Sequence, residues 1–327
     1  MIKYIWSKKQ KQIYPGEMQK IQVLSVNISE KKGTIKFPVD KISLTKSGIE
    51  GDAHAGLWHR QVSLLGNESF EKMESSAGRR LEYGEFAENI TTEGYLLYHM
   101  RPFDRLICRN ILLEVTQIGK KCHGANCSIF QETGNCVMPK EGIFCRVIEG
   151  GELQAGDILE YHQRVMKVHI ITLSDRASQG IYKDISGPLL KELSEDFFTA
   201  NGRPYLIENS VIPDDELQLK ALLMKLISQN TDIIFTTGGT GIGPRDITPD
   251  IVKSQLDKEI PGIMEMIRVK YGMQFPNALV SRSIAGVAGK TLIYALPGNP
   301  KAVKEYTEEI FKTVEHSFRM LYSIDEH

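Results

Sequence analysis

Residues 236–250, Thr-Thr-Gly-Gly-Thr-Gly-Ile-Gly-Pro-Arg-Asp-Ile-Thr-Pro-Asp, restrict the fold more than any other stretch of the chain. They follow Asp232-Ile-Ile-Phe235, a short apolar run of β type, so they read as a glycine-rich turn leaving a buried strand. Gly238, Gly239, Gly241 and Gly243 remove side chains where main-chain N–H groups must come close to an anion. Thr237 and Thr240 add hydroxyls, Arg245 a fixed cation, and Asp246 a carboxylate able to hold a metal or orient a group. Thr248-Pro249-Asp250 reads as a helix start, with Thr248 as N-cap and Pro249 at the first helical position. Strand, glycine loop, acid and helix N-terminus together describe a phosphate site.

The pattern around this loop alternates strand and helix. Strands are expected over 166–173, 205–212, 231–236 and 290–296, and helices over 184–198, 214–228, 259–271 and 300–320. Such alternation predicts an α/β, doubly wound, mostly parallel sheet. Before residue 160 the character changes to short alternating runs separated by turns: 21–26, 33–37, 60–65, 105–108 and 111–115, with a helical insert at 68–73. These predict a mostly antiparallel β-barrel. At 327 residues the chain accommodates two domains, divided here into 1–163 and 164–327 by the short polar join at 159–164.

In open parallel sheets ligands bind beyond the carboxyl ends of the strands. Ser174 and Asp175 fall after the first C-terminal strand, Asp214 after the second, the glycine loop after the third, and Pro297, Gly298 and Asn299 after the last. Asp214 and Asp215 have an equally good reading as N-cap and first-turn residues of the following helix. Pro297 and Pro300 read as turn-formers, leaving Asn299 as the ligand contact of its turn. Gly289-Lys290-Thr291 resembles the end of a Walker A loop. Ile284 sits where that loop needs its first glycine, and a strand follows rather than a helix, so the resemblance is dismissed.

The glycine loop is similar to the signature of the MogA/MoaB family, the molybdopterin adenylyltransferases. Leu173-Ser-Asp-Arg-Ala-Ser178 with Tyr182 and Asp184-Ile-Ser-Gly-Pro188 resembles that family's first strand and following loop. Val211-Ile-Pro-Asp-Asp215 resembles its acidic turn, and Leu296-Pro-Gly-Asn-Pro300 its last strand-to-helix turn. The resemblance spans roughly 165–320 and implies a reaction: the terminal phosphate of molybdopterin is joined to the α-phosphorus of ATP, releasing pyrophosphate. It further implies that Asp214 and Asp246 hold Mg²⁺, that the 238–243 amides and Thr240 cradle a phosphate, and that Arg245 offsets developing charge. Regulatory relatives share most of this motif, so a non-catalytic molybdenum cofactor binding, storage or carrier protein is the alternative function. Intact Asp214 and Asp246 favour the enzyme.

In the N-terminal half, 48–56, 59–62, 84–94 and the cysteine-bearing segment 119–151 resemble a MOSC domain, the β-barrel module of molybdenum cofactor sulfurases. The resemblance implies binding, sulfuration, or sulfur or metal carriage of the cofactor, with one functional cysteine. Cys122, Cys127 and Cys136 are candidates, with Cys127 favoured. Cys122, Cys127, Cys136 and Cys145 alternatively supply a structural zinc site, although their spacing lacks the usual close pairs, or are inert buried thiols. Asp52, His54, His59, Arg60 and Asn89 are pocket candidates, with Asp52 and Asn89 equally readable as turn residues. Lys120, Lys121 and Arg146 join Arg60 as candidates for an anionic pocket.

Composition narrows the partners. A net charge of −1 gives no field for nucleic acid, and no apolar run reaches membrane-span length. With no secretory-type leader and an odd count of five cysteines, a cytoplasmic protein with reduced thiols is expected. Molybdopterin and ATP are the small-molecule partners implied by resemblance. So are a homo-oligomer, specifically a trimer, and contacts with molybdopterin synthase, metal-insertion or molybdoenzyme partners.

Overall fold

The computed structural model describes residues 19–121, 130, 132 and 134–324. Cys122 and Cys127 lie outside the described residues. The described chain divides into two compact units, 19–164 and 165–323.

The first unit contains β1 (Gln19–Ile28), β2 (Phe37–Val39), β3 (Lys41–Thr45), β4 (Gly48–Ile49), β5 (Val62–Gly66) and helix α1 (Asn67–Ala77). It continues with β6 (Ile90–Glu93), β7 (Arg105–Cys108), β8 (Ile111–Ile118), the short helix α2 (Met138–Glu141), β9 (Ile143–Glu149), β10 (Gly151–Gln154) and β11 (Ile158–His162). Strands run β11-β7-β8-β9-β5-β6-β1-β2, and β11 also pairs with β1, closing a seven-stranded barrel with β2 on its rim. Only β5 and β6 pair in parallel within it, so the barrel is mostly antiparallel, as expected from the alternating runs. Ile21, Val23, Leu64, Ile90, Leu106, Leu113, Val115, Ile143 and Leu159 are sealed inside, because alternate residues of every strand point to the axis. Helix α1 plugs one flank: Phe70 and Met73 enter a second cluster, where Phe70 meets Phe86 edge-on at 4.9 Å. The expected strand at 33–37 is displaced; Gly33 turns at φ +76° and extension begins only at Phe37.

The second unit holds β12 (Met166–Leu173), α3 (Asp175–Ser178), α4 (Ser186–Ala200), β13 (Tyr205–Ile212), α5 (Glu216–Ser228), β14 (Ile233–Thr237) and α6 (Thr248–Lys253). Then follow β15 (Lys258–Glu259), α7 (Pro261–Gly272), β16 (Ile284–Ala288), β17 (Thr291–Leu296) and α8 (Pro300–Leu321). Strand order is β13-β12-β14-β17-β16-β15; the first four run parallel, while β16 and β15 pair antiparallel at the far edge. Ile171, Leu173, Ile234, Ile293 and Ala295 pack with α5 and α6 on one face. Phe235 and Tyr294 point the other way, stacked at 5.4 Å, and Phe235 meets Phe311 of α8. Helices therefore cover both faces, and strand alternation sorts the apolar side chains between them.

The expected 259–271 helix begins two residues later, because Glu259 pairs in β15 and Pro261 opens α7. Thr248 is not the N-cap of α6. Ile247 stands there, and the Thr248 hydroxyl instead donates to the Gly238 carbonyl at 2.9 Å. No helix is long and apolar enough to cross a membrane among the described residues.

Candidate functional site

Register brings the functional segments of the second unit side by side. Leu173 pairs with Ile212, Thr172 with Thr237, and Thr237 with Leu296, so β13, β12, β14 and β17 end level. Asp214, Ser174, Gly238 and Pro297 consequently emerge in a row at the carboxyl edge, where an open sheet places ligands.

The glycine loop is shaped by close approaches. Gly238 and Gly239 take φ of +106° and +61°, conformations costly for other residues. A Cβ on Gly239 would lie 2.6 Å from the Thr248 hydroxyl and 3.6 Å from Asp214 Oδ1; one on Gly241 would lie 2.6 Å from Asp246 Oδ2. Asp246 Oδ2 accepts the Gly243 N–H at 2.8 Å, folding the loop back on its own carboxylate. Among the described residues the N–H groups of Gly239, Thr240, Gly241 and Ile242 have no hydrogen-bond acceptor, so a run of main-chain donors is left for a ligand. Gly298 passes within van der Waals range of Gly238, and its own Cβ would sit 3.3 Å from the Gly238 Cα.

Three carboxylates gather beside that loop. Asp214 Oδ2 accepts the Asp175 N–H at 3.3 Å, and Asp175 Oδ1 accepts the Asp214 N–H at 3.1 Å. Arg245 pairs with Asp175. Burial, helped by the charges of Asp175 and Asp246, pushes the Asp214 carboxyl above its ordinary range, with the Asp175 N–H hydrogen bond and Arg245 opposing. Asp175, Asp214 and Asp246 against one guanidinium leave an excess of negative charge. A polyphosphate is admitted there only with a cation that offsets it. No group of three or more metal-ligating side chains occurs among the described residues. Magnesium fits nonetheless, since it is commonly held by one or two carboxylates together with substrate phosphates. Asp214 and Asp246 each have one oxygen outside the hydrogen bonds described above.

Several expected contacts turn out to have structural work. The helix α5 is capped by Asp215, whose carboxylate accepts the Gln218 N–H at 2.8 Å, so Asp214 is released from capping. Ser174 caps α3 and Asn299 caps α8, accepting the Ala177 and Lys301 N–H groups respectively. Thr237 is fully buried and donates to the Pro297 carbonyl at 3.0 Å, tying β14 to the last turn. Thr240 is also buried. A cavity of about 140 Å³ opens beside these groups, lined by Thr172, Ser174, Tyr182, Asp184, Thr237 and Gly298 among others.

Arg282 also serves the loop. Its main-chain N–H donates to the Thr240 carbonyl, Nε to the Gly241 carbonyl at 2.8 Å, and its guanidinium grips Asp250 and the Asp246 carbonyl. It threads the underside of the loop and holds its carbonyls inward. A lone arginine between two serines carries no motif, so only the folded loop exposes its role.

In the first unit the candidates separate. Asp52 and Asn89 are buried at 5% and 1% exposure. Asp52 pairs with the fully buried Lys36 and accepts from Ser29, His54 and Asn89; Asn89 also receives the Ser63 hydroxyl. Burial opposes ionisation of Asp52, but hydrogen bonds from His54 and Lys36 hold its carboxyl below the usual range. These two residues brace the barrel rather than line a pocket. His54, His59 and Arg60 instead surround Trp58: the His54 ring stacks on it at 6.5 Å, His59 meets it edge-on, and the Arg60 guanidinium lies 5.0 Å from its centre. Arg146 is engaged by the buried Glu114 at 2.6 Å. Cys145 is sealed in the barrel core, where burial pushes its thiol far up, so the four-cysteine zinc reading loses a ligand. Cys136 is half-buried, and its main-chain N–H donates to Asn135 Oδ1 at 2.9 Å.

Known families match both halves. The family described as a probable molybdopterin binding domain matches residues 169–316, and the MOSC domain family matches 51–160. The chain is 33% identical over 152 residues to the molybdopterin adenylyltransferase of Helicobacter pylori strain J99, covering 46% of this chain and 85% of that protein. It is 35% identical over 147 residues to that of Escherichia coli strain K12, covering 44% of this chain and 73% of the relative. Among solved structures, the molybdopterin biosynthesis Mog protein from Mycobacterium ulcerans is 31% identical, covering 49% of this chain and 99% of that one, with a TM-score of 0.44.

Proposed function

Because this chain belongs to the molybdopterin adenylyltransferase family and carries a MOSC domain ahead of that half, we propose that residues 164–327 transfer the adenylyl group of Mg-ATP to molybdopterin and that residues 1–163 handle the cofactor afterwards. The observation that carries this reading is the run of unengaged amides at 239–242 beside Asp214, Asp175 and Asp246. Amides and carboxylates recognise different parts of one ligand set: the first grip phosphate oxygens, the second a divalent ion.

Phosphoryl and nucleotidyl transfer is mainly positioning and charge neutralisation. The 239–242 amides and the Thr240 region cradle a phosphate. Arg245, exposed and paired with Asp175, would exchange that partner for charge that develops on the leaving pyrophosphate. Asp214 and Asp246 would hold Mg²⁺, which would supply charge neutralisation at the phosphate oxygens. Asp175 holds the Asp214 main chain, and Arg282 fixes the loop. The terminal phosphate of molybdopterin attacks the α-phosphorus, the bond to the β-phosphate oxygen breaks, and pyrophosphate leaves.

For the first unit, the Trp58 cluster with His54, His59 and Arg60 is the proposed cofactor-facing surface, and a cysteine of 122–136 the proposed sulfur or metal carrier. A tether between two handlers of one pterin raises the effective concentration of the second site for the product. The deciding experiment incubates the full chain with molybdopterin, ATP and Mg²⁺ and follows pyrophosphate. Stoichiometric or faster release is expected; binding of the pterin without release would establish a carrier instead.

A further inference from the structure

A second group of chemistry-bearing side chains lies away from the glycine loop, on the face of the sheet that carries α5. His169 of β12 and Glu208 of β13 are register partners, and Ser210 stands two residues further along β13 on the same face. The Ser210 hydroxyl lies 2.8 Å from His169 Nε2, while His169 Nδ1 faces Glu208 Oε2 at 3.5 Å. Hydroxyl, imidazole and carboxylate thus stand in line, each ring nitrogen with its own neighbour. A nucleophile in contact with a base that is in turn oriented by a third group is the arrangement that activates serine.

We propose that Ser210, His169 and Glu208 form a second catalytic site, one that hydrolyses small carboxylic esters. Pairing of two parallel strands holds the three side chains, so their spacing rests on rigid backbone. A groove of about 610 Å³ opens at Ser210, walled by Val211, Ile212, Ala221 and Leu222, with Gln218 and Lys225 as its polar members. The apolar wall suits a short acyl chain. The Gln218 amide and the Lys225 ammonium are donors for an oxyanion. His169 itself is 7% exposed, and burial lowers its pKa, with Glu208 opposing and Lys225 reinforcing. That direction favours the neutral ring, the form able to accept a proton. The charged groups facing it are Glu208 from β13 and Lys225 from α5, while Lys167 of its own strand lines the adjoining cavity.

In the reaction the Ser210 Oγ–acyl carbon bond forms as the hydroxyl proton passes to His169 Nε2. The ester C–O bond then breaks, and the departing alcohol takes that proton. Water attacks the acyl-serine by the same route, releasing the carboxylic acid and restoring Ser210. No oxidant, reductant or metal is required.

The test uses the full chain with p-nitrophenyl butyrate as substrate and a fluorophosphonate as covalent probe. The wild type is expected to take one phosphonyl group at Ser210, located by peptide mass spectrometry. Its hydrolysis should fall about a hundredfold or more in Ser210→Ala and in His169→Ala. Glu208→Gln, at an exposed position, should lower the rate by about tenfold and move the acid limb of the pH profile, which a merely structural role would leave in place. Labelling is read on the wild type, so it stands even where a variant misfolds. Absence of label at Ser210, or hydrolysis unchanged in Ser210→Ala, overturns the proposal.

Discussion

The two units treat aspartate in opposite ways. Asp52 follows a glycine turn, as Asp246 follows the 238–243 loop, and the two look alike in the sequence. Yet the Lys36–Asp52 pair is wholly sealed from solvent, whereas Arg245, the partner of Asp175 beside Asp246, is 67% exposed. In the barrel, charge is consumed by internal bonding, and breaking it leaves a buried ion without a partner. At the sheet edge, charge and main-chain donors are left open, and under the proposed function their disturbance alters ligand handling rather than folding. The same residue type after the same kind of turn is thus sealed or open according to whether a barrel wall closes over it.

Removing Asp52 should break that contrast most severely. Asp52→Ala leaves Lys36 buried and unpaired, a loss of about 3–5 kcal/mol. Denaturation followed by Trp58 fluorescence in a Trp6→Phe background would show the first unit unfolding at lower denaturant. Asp246→Asn is its counterpart in the second unit. Asparagine keeps an acceptor for the Gly243 N–H, so the melting temperature should stay within a degree or two of the wild type. Pyrophosphate release with Mg-ATP and molybdopterin should nonetheless drop by about a hundredfold, equivalent to about 2.7 kcal/mol.

Glu88 sharpens the comparison through pH. It is entirely buried in the barrel; Oε1 accepts from Gly84, Thr91 and Asn27, while Oε2 has no hydrogen-bond partner among the described residues. Burial pushes its pKa from 4.5 to about 7, against those hydrogen bonds. A carboxyl with a raised folded pKa favours the unfolded chain when ionised. Its contribution to stability is therefore full below about pH 4.5 and lost as pH rises through about 7. Glu88→Gln removes that loss and retains an acceptor. At pH 8 the variant should exceed the wild type by about 3 kcal/mol, with the gap closing toward pH 5, as a melting series across pH would register. The smallest effect belongs to a residue that only looks catalytic. Asp215→Ala removes the cap of α5 and should cost about 1 kcal/mol while turnover persists.

How much the sequence disclosed follows from how local each feature is. The glycine loop, the acidic turn at 211–215 and the 296–300 turn are each a strand end with its own following residues, so composition alone marks them. Register then makes them neighbours. Arg282 reaches the loop across 36 positions, and Lys36 reaches Asp52 across 16, each in an unremarkable context. Their roles depend on packing that no short window contains. The barrel was legible as a class, but its closure through β11 on β1 joins the two ends of the unit, and with it the burial of Asp52, Asn89 and Glu88. Thr248 shows a local rule losing to a neighbour: its hydroxyl was expected to cap α6, but the Gly238 carbonyl came within reach first.

The most direct test of the open, acid-lined loop is calorimetric titration of the full chain with ATP, with and without Mg²⁺, repeated on Asp214→Asn. Binding by the wild type should require the ion, and the substitution should abolish that requirement's benefit. ATP that binds equally well in a chelator, or a variant indistinguishable from the wild type with Mg²⁺ present, would contradict it.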